Sequence, residues 1–284
     1  MNTDCQLTIQ AAITQGQDRL RQCTENPYNE VLILLQYITA KSKTLLIAYP
    51  DDVLTAEQLD FFEQALLRRD EGEPMAYIIA QREFWSLELK VQSGVLIPRP
   101  ETELLVEACL PLLEHNRQAK ILDLGTGSGC IALALAKEYP STKIIACDIS
   151  ATCLEVAAHN AQVHQLTNIH FMRSHWFSAI DQMQFDLIVS NPPYIDENDP
   201  DIDPNVERFE PDLALFADQY GYADLFHIIE NSCGYLTAGG TLLIEHGWQQ
   251  AMRVRQHLTE NGYTSIATSC DLQLHERVTQ AQFR

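Results

Sequence analysis

An α/β architecture is predicted: a doubly wound, mostly parallel, seven-stranded sheet that follows an N-terminal helical domain. From residue 120 onward, short runs rich in Ile, Leu and Val alternate with stretches of helical spacing, the order of a sheet wound by crossover helices. Residues 1 to about 90 lack that alternation and carry helical periodicity until their last stretch. A glycine-rich turn then joins the first strand of the alternating series to the helix after it.

At 284 residues the chain can bury a sizeable core and divide into domains, read here as 1–75, a hairpin or linker over 76–98, and 99–284. Amphipathic spacing predicts helices around 8–24 and 29–40. Thr55-Ala56-Glu57-Gln58 fits a capping box, Leu59, Phe62 and Leu66 share the face that follows, and Arg68 and Arg69 suit the negative end of the helix dipole. The helical domain ends near Gly72-Glu73-Pro74. Residues 84–91 largely alternate apolar and polar, predicting a half-buried hairpin strand. In Ile97-Pro98-Arg99-Pro100-Glu101-Thr102-Glu103 two prolines stiffen the entry to a helix that begins at Glu101 or Thr102 and runs to about Leu113. The alternating series reads strand 120–124, helix 130–139, strand 143–148, helix 150–164, strands 168–172 and 185–190, helix 223–236 and strand 241–246. After Gly262, residues 264–270 and 277–283 form a terminal hairpin.

Composition narrows the function. No apolar stretch reaches membrane-span length, and MNTDCQLTIQ lacks the basic-then-apolar layout of a signal peptide, so a cytoplasmic protein with no membrane partner is expected. None of the eight cysteines forms a Cys-x-x-Cys pair and the nine histidines are scattered, so packed free thiols and no metal are expected. A protein that grips a phosphate backbone needs clustered Lys and Arg. The net charge here is −20, and the densest charge run, residues 196–212, is acidic. That run reads as a solvated face, or as an attractant for a basic protein partner.

Two motifs fall at the carboxyl ends of strands, where open α/β sheets bind ligands. The first is Asp123-Leu124-Gly125-Thr126-Gly127-Ser128-Gly129, whose glycines let the backbone approach a ligand at a helix N-terminus. Asp148, closing the next strand, suits ribose hydroxyls, and Trp176, after the third, suits a stacked adenine. The second is Asn191-Pro192-Pro193-Tyr194. Asn-Pro-Pro alone is an ordinary turn. Here its prolines remove two N–H donors, and the Asn191 amide oxygen with a backbone carbonyl can receive an incoming –NH2 group. A nucleoside cofactor beside a nitrogen-binding turn is the chemistry these residues suggest together.

These motifs resemble the S-adenosyl-L-methionine-dependent methyltransferases whose Asn/Asp-Pro-Pro-Tyr motif methylates planar nitrogens. Within that group the chain is similar, essentially over its full length, to the peptide chain release factor N5-glutamine methyltransferases. The matching pieces are Gly72-Glu73-Pro74, Arg82 to Leu87, Ile97 to Glu103, Asp123 to Gly129, Asn191 to Tyr194, Arg208-Phe209-Glu210-Pro211 and Glu245-His246-Gly247. One departure is His175, where the family often has Asp, which touches a secondary cofactor contact. The resemblance implies a Rossmann-like sheet. It implies that Gly125, Thr126, Gly127, Ser128 and Gly129 wrap the methionine moiety, Asp148 holds the ribose, Trp176 packs on the adenine, and Asn191 also borders the cofactor. It assigns substrate binding to Asn191, Pro192, Pro193 and Tyr194. Asn191 and the Pro192 carbonyl would hold a glutamine amide for in-line methyl transfer, and Tyr194 would stack on it. The implied partner is a release factor presenting a Gly-Gly-Gln loop, chosen by the helical domain, with no direct nucleic acid. Glutamine methylation of a ribosomal protein, N6-adenine methylation of nucleic acid (opposed by the charge) and a non-catalytic cofactor-binding module are the alternatives.

Overall fold

The computed structural model describes residues 7–284; MNTDCQ, read above for its lack of a signal layout, lies outside them, as does Cys5. Contacts divide the chain after Ala80 into two compact units.

The first unit holds α1 (Ile9–Leu20), α2 (Pro27–Thr39), α3 (Lys43–Ala48), α4 (Ala56–Asp70) and the short α5 (Met75–Ile78). Thr8, Asn26 and Ser42 cap the first three helices through side-chain oxygens. The Thr55–Gln58 capping box is complete, with Gln58 N–H donating to Thr55 Oγ1 at 3.2 Å and Thr55 N–H donating to Gln58 Oε1 at 2.9 Å. Leu20, Leu32, Leu35, Phe62 and Leu66 are sealed between the helices. Arg69 does more than meet the helix dipole: its guanidinium forks onto Glu30 of α2 at 2.6 and 3.1 Å, which ties α4 to α2.

The second unit opens with a hairpin of β1 (Gln81–Phe84) and β2 (Leu87–Lys90). The sequence suggested one strand over 84–91; instead the chain reverses at Trp85 and Ser86, both left-handed at φ 52° and 53°. The bend is held from outside its own two residues, because Glu103 Oε1 accepts Trp85 N–H at 2.8 Å and Glu83 Oε1 accepts Ser86 N–H at 2.7 Å. A 3-10 turn at Pro100–Thr102 leads into α6 (Glu103–His115).

The sheet follows. Its elements are β3 (Lys120–Leu124), α7 (Cys130–Glu138), β4 (Lys143–Asp148), α8 (Ala151–Val163), β5 (Ile169–Arg173) and β6 (Phe185–Ser190). Then come α9 (Pro204–Phe209), α10 (Asp212–Leu215), α11 (Asp218–Gly221), α12 (Ala223–Ser232), β7 (Leu236–Glu245), α13 (Ala251–Glu260), β8 (Thr264–Cys270) and β9 (Glu276–Gln282). Seven strands lie in the order β5-β4-β3-β6-β7-β9-β8. The first five are parallel; β9 runs antiparallel to both β7 and β8. The doubly wound sheet and terminal hairpin predicted from the alternation are therefore present.

The strands are apolar on both faces because both faces are covered. Ile121, Val189 and Leu243 pack with α6 and α7, while their chain neighbours Leu122, Ile188 and Leu242 pack with α12 and α13. Two boundaries moved: α12 stops at Ser232, and β7 starts at Leu236 rather than 241, pairing Leu236 with Phe185 before a register shift. Gly239 and Gly240 break the apolar run there and disguise its beginning. The acidic run is not featureless, since it contains α9 and enters α10. Among the described residues, no helix is long and apolar enough to cross a membrane and no His, Cys, Asp and Glu cluster is arranged to hold a metal ion.

Candidate active site at the switch point

The winding direction reverses between β3 and β6, so the chains leaving their carboxyl ends diverge and leave a crevice. Ser190 Oγ–H donates to the Leu124 carbonyl at 2.8 Å, fastening the two strand ends together. A cavity of about 330 Å3 opens there. Gly125, Gly127, Asp148, Trp176, Asn191 and Pro193 line it, drawn from four separate strand ends.

The glycine turn is built by competition for one carbonyl. Gly125 and Thr126 N–H groups both donate to Cys147 O at 2.9 Å, which folds the chain over the end of β4. Gly127 N–H donates to Asp148 Oδ2 at 2.9 Å, and Ser150 N–H donates to Asp148 Oδ1 at 2.8 Å. Asp148 thus braces the turn while facing the cavity; Ser150, not Asp148, caps α8. Burial raises the Asp148 carboxyl above its ordinary value, and the N–H donors of Ser150 and Gly127 pull it back. Gly127 is left-handed at φ 56°, and a Cβ built on it would find no protein atom within 4 Å. The space beside it is the cavity itself.

Trp176 sits at φ 48° with its ring edge 3.4 Å from where a Gly125 Cβ would be. Its indole N–H donates to Asp224 Oδ1 at 3.1 Å, which sets the ring plane. Asp224 was not anticipated; it reaches the cavity from α12, too far along the chain for any local motif to reveal. His175, the departure from the family pattern, is also on the wall.

Asn191 is oriented by its nitrogen. Nδ2–H donates to Thr102 Oγ1 at 3.1 Å, and Asn191 lines the cavity, so Oδ1 is the amide's remaining acceptor. Several predicted residues stand behind the wall instead of on it. Thr126 and Ser128 are buried, and Thr126 Oγ1–H donates to Asp123 Oδ2 at 2.6 Å. Gly129 starts α7, and Pro192 is buried beneath the turn. Tyr194 is drawn inward: its hydroxyl donates to Glu245 Oε1 at 3.2 Å and its ring packs on the cluster under β6 and β7. That contact anchors the Tyr194 hydroxyl end.

The far wall comes from α10 and its flanks, with Pro211, Leu213, Ala214 and Phe216. It is secured from the Ile97–Glu103 motif: Arg99 Nη2–H donates to Glu210 Oε1 at 2.6 Å and Ile97 N–H donates to Glu210 Oε2 at 3.1 Å. Glu210 is buried, so its charge needs both partners. The Ile97–Glu103 and Arg208–Pro211 motifs are thus halves of one joint.

A glycine turn, a strand-end acid and an Asn-Pro-Pro-Tyr turn around one switch-point crevice define a Rossmann-like methyltransferase. The family models described as Methyltransferase small domain and PrmC N-terminal domain match residues 100–208 and 11–79. The chain belongs to the release factor glutamine methyltransferase family. It is 47% identical over 262 residues to the release factor glutamine methyltransferase of Escherichia coli K12, covering 92% of this chain and 94% of that one. The Salmonella typhimurium LT2 relative of the same description is 45% identical over 280 residues, covering 99% of each chain. The crystal structure of ribosomal protein L11 methylase from Lactobacillus delbrueckii subsp. bulgaricus shares the fold, with TM-score 0.51 and 18% identity over 69% of this chain and 86% of that one.

The cavity fits the cofactor of such an enzyme. Its volume lies in the usual range for ligand pockets. Leu96, Ile149, Trp176 and Phe216 line it with apolar wall that would suit a base, and Asp148 would offer an acceptor to ribose hydroxyls. The turn at Gly127 leaves a cradle that any side chain would fill.

Proposed function

We propose that this enzyme methylates the N5 side-chain amide nitrogen of the glutamine in the Gly-Gly-Gln loop of peptide chain release factors, with S-adenosyl-L-methionine as methyl donor and no metal. The observation that carries this is the Asn191 amide on the cavity wall, whose nitrogen donates to Thr102 and whose Oδ1 is then the acceptor left for a substrate. An amide nitrogen is a poor nucleophile, its lone pair being delocalised into its carbonyl. Asn191 Oδ1 accepts one of its N–H groups, holds it in place and stabilises positive charge growing on it; the Pro192 carbonyl is the second acceptor, which the incoming amide reaches by entering beside Asn191 and Pro193 to this buried residue. When bound, S-adenosyl-L-methionine supplies a methyl on a sulfonium, so the new C–N bond forms as the C–S bond breaks and a neutral thioether leaves. The nitrogen then sheds a proton to water, and no titrating base in the turn is needed. Gly125, Gly127, Asp148 and Trp176 carry the cofactor, with Thr126, Ser128 and Gly129 shaping the turn from behind. The reaction places the enzyme in the cytoplasm, where release factors act, and the helical unit selects the partner.

The test is transfer of labelled methyl to a release factor, to a ribosomal protein and to DNA in parallel. Label on the Gly-Gly-Gln glutamine of the release factor is expected; label in DNA alone overturns the proposal. A second result is expected at Asp148. Asp148→Ala removes the ribose acceptor and unties both Gly127 and Ser150, so S-adenosyl-L-methionine binding should weaken about 10- to 100-fold, the size of one or two charge-assisted hydrogen bonds. Titration calorimetry reads this directly, and an unchanged Kd sinks the assignment.

A further inference from the structure

A buried side-chain amide grips the Asn191–Tyr194 turn from behind. Pro192 and Pro193 carry no N–H, so at two of its four residues the turn has no backbone donor with which to tie itself down. Other elements hold it. At its entry Asn191 Nδ2–H donates to Thr102 Oγ1 at 3.1 Å. At its exit Gln250 Nε2–H donates to the Tyr194 carbonyl at 3.0 Å, and the second hydrogen on that nitrogen goes to the Gly221 carbonyl at 3.2 Å. Gln250 Oε1 accepts Gly247 N–H at 2.8 Å. Gln250 itself is 7% exposed and ends the 3-10 turn Trp248–Gln250 that follows β7.

These partners dictate which way the amide points. Carbonyls only accept and a backbone N–H only donates, so a half-turned Gln250 would set oxygen against two oxygens. The attachments also differ in stiffness. Gly221 leads through Tyr222 into α12, whose Leu225, Ile228 and Ile229 are fully buried. Gly247 leaves β7, where Leu242, Leu243 and Ile244 are fully buried. Tyr194 belongs to the turn. With φ locked at both prolines, little of a displacement at Tyr194 is absorbed before it reaches the Pro192 carbonyl and Asn191.

We propose that Gln250 is a positioning residue for methyl transfer, its shared amide nitrogen setting where the Asn191 and Pro192 acceptors of this clamp stand. The inference rests on the reading of those two groups as the acceptors for the substrate amide. Gln250 lies behind the cavity wall, so it acts through the turn and not by contact with substrate or cofactor.

The test measures kcat and KM for a release factor on both sides of neutral pH in the wild type, Gln250→Glu and Gln250→Met. Rates are expressed per S-adenosyl-L-methionine bound, so that unfolded protein does not count. Gln250→Glu keeps the shape and an oxygen for Gly247 N–H, but its carboxylate sets the other oxygen against the Tyr194 and Gly221 carbonyls. Its kcat should fall about 100-fold at alkaline pH, the cost of a misplaced reacting group, with KM and cofactor Kd within about threefold. On acidification the carboxyl takes up a hydrogen that replaces one of the two lost, so the ratio of variant to wild-type kcat should climb about tenfold. Burial and the facing carbonyls favour the protonated form and bring that climb toward neutral pH. Gln250→Met, of similar length and without a donor, should be slow with a flat ratio. A ratio in Gln250→Glu that does not move with pH, wild-type kcat in Gln250→Met, or a raised KM with kcat preserved overturns the inference. If Gln250→Glu does not fold, Gln250→Met carries the test alone. No methyl transfer to the release factor by the wild type, or full activity of Asn191→Ala, strikes instead at the proposed function beneath it.

Discussion

Asn191→Ala is expected to lower kcat by about 10²- to 10³-fold, the range seen when one preorganised polar group is removed from a charge-stabilising site. The substitution deletes the Oδ1 acceptor and frees Thr102, but leaves Gly125, Gly127, Asp148 and Trp176 where they are. Those are the groups proposed to carry the cofactor, so its Kd should stay within about threefold, less than the worth of one net hydrogen bond. Single-turnover methyl transfer read beside titration calorimetry separates the two effects. Uniform weakening, with kcat preserved and KM raised, would mean that Asn191 only binds the substrate and does nothing more in the transition state. Turnover at the wild-type rate would remove the clamp altogether.

The core of this fold is legible because burial on two faces writes long apolar runs. β3, β4 and β6 are such runs, and their neighbouring residues feed opposite clusters. What hid is whatever is held from a distance. The Trp85–Ser86 reversal contains no Gly, Asn or Asp, and owes its left-handed backbone to carboxylates of Glu83 and Glu103. β7 began early because Leu236 is recruited by Phe185 on another strand. The site divides along the same line. Gly125, Gly127, Asp148, Trp176 and Asn191 announce themselves through local chemistry at strand ends. Thr102 meets Asn191 across 89 positions of sequence, and Arg99 meets Glu210 across 111. Local spacing carries no trace of such pairs, so the orientation of the clamp had to be seen in three dimensions. Tyr194 likewise meets Glu245 across 51 positions.

The backbone of the clamp is itself held by a close approach that only glycine permits, and Gly221→Ala is expected to break it. Gly221 is buried and left-handed at φ 80°, and a Cβ there would lie 2.2 Å from the Tyr194 carbonyl oxygen and 2.8 Å from its carbon. Neither atom is the end of a flexible side chain. Gln250 Nε2 donates to the Tyr194 and Gly221 carbonyls at 3.0 and 3.2 Å, so the two segments are pinned together and the strain falls on the turn itself. Left-handed backbone alone costs an alanine about 1–2 kcal/mol. Overpacking adds about 1–3 kcal/mol, so a loss of about 2–5 kcal/mol in urea unfolding is expected. Displacement of Tyr194 drags Pro192 and Asn191 with it, and kcat should fall about 100-fold even where the variant is fully folded. Gly262→Ala separates strain from displacement, since Gly262 has φ 84° but nothing within 4 Å of a built Cβ. It should lose only the backbone contribution and keep wild-type kcat. Equal kcat in the two variants would mean that the Asn191–Tyr194 turn tolerates displacement, and the geometric account of the clamp would fail.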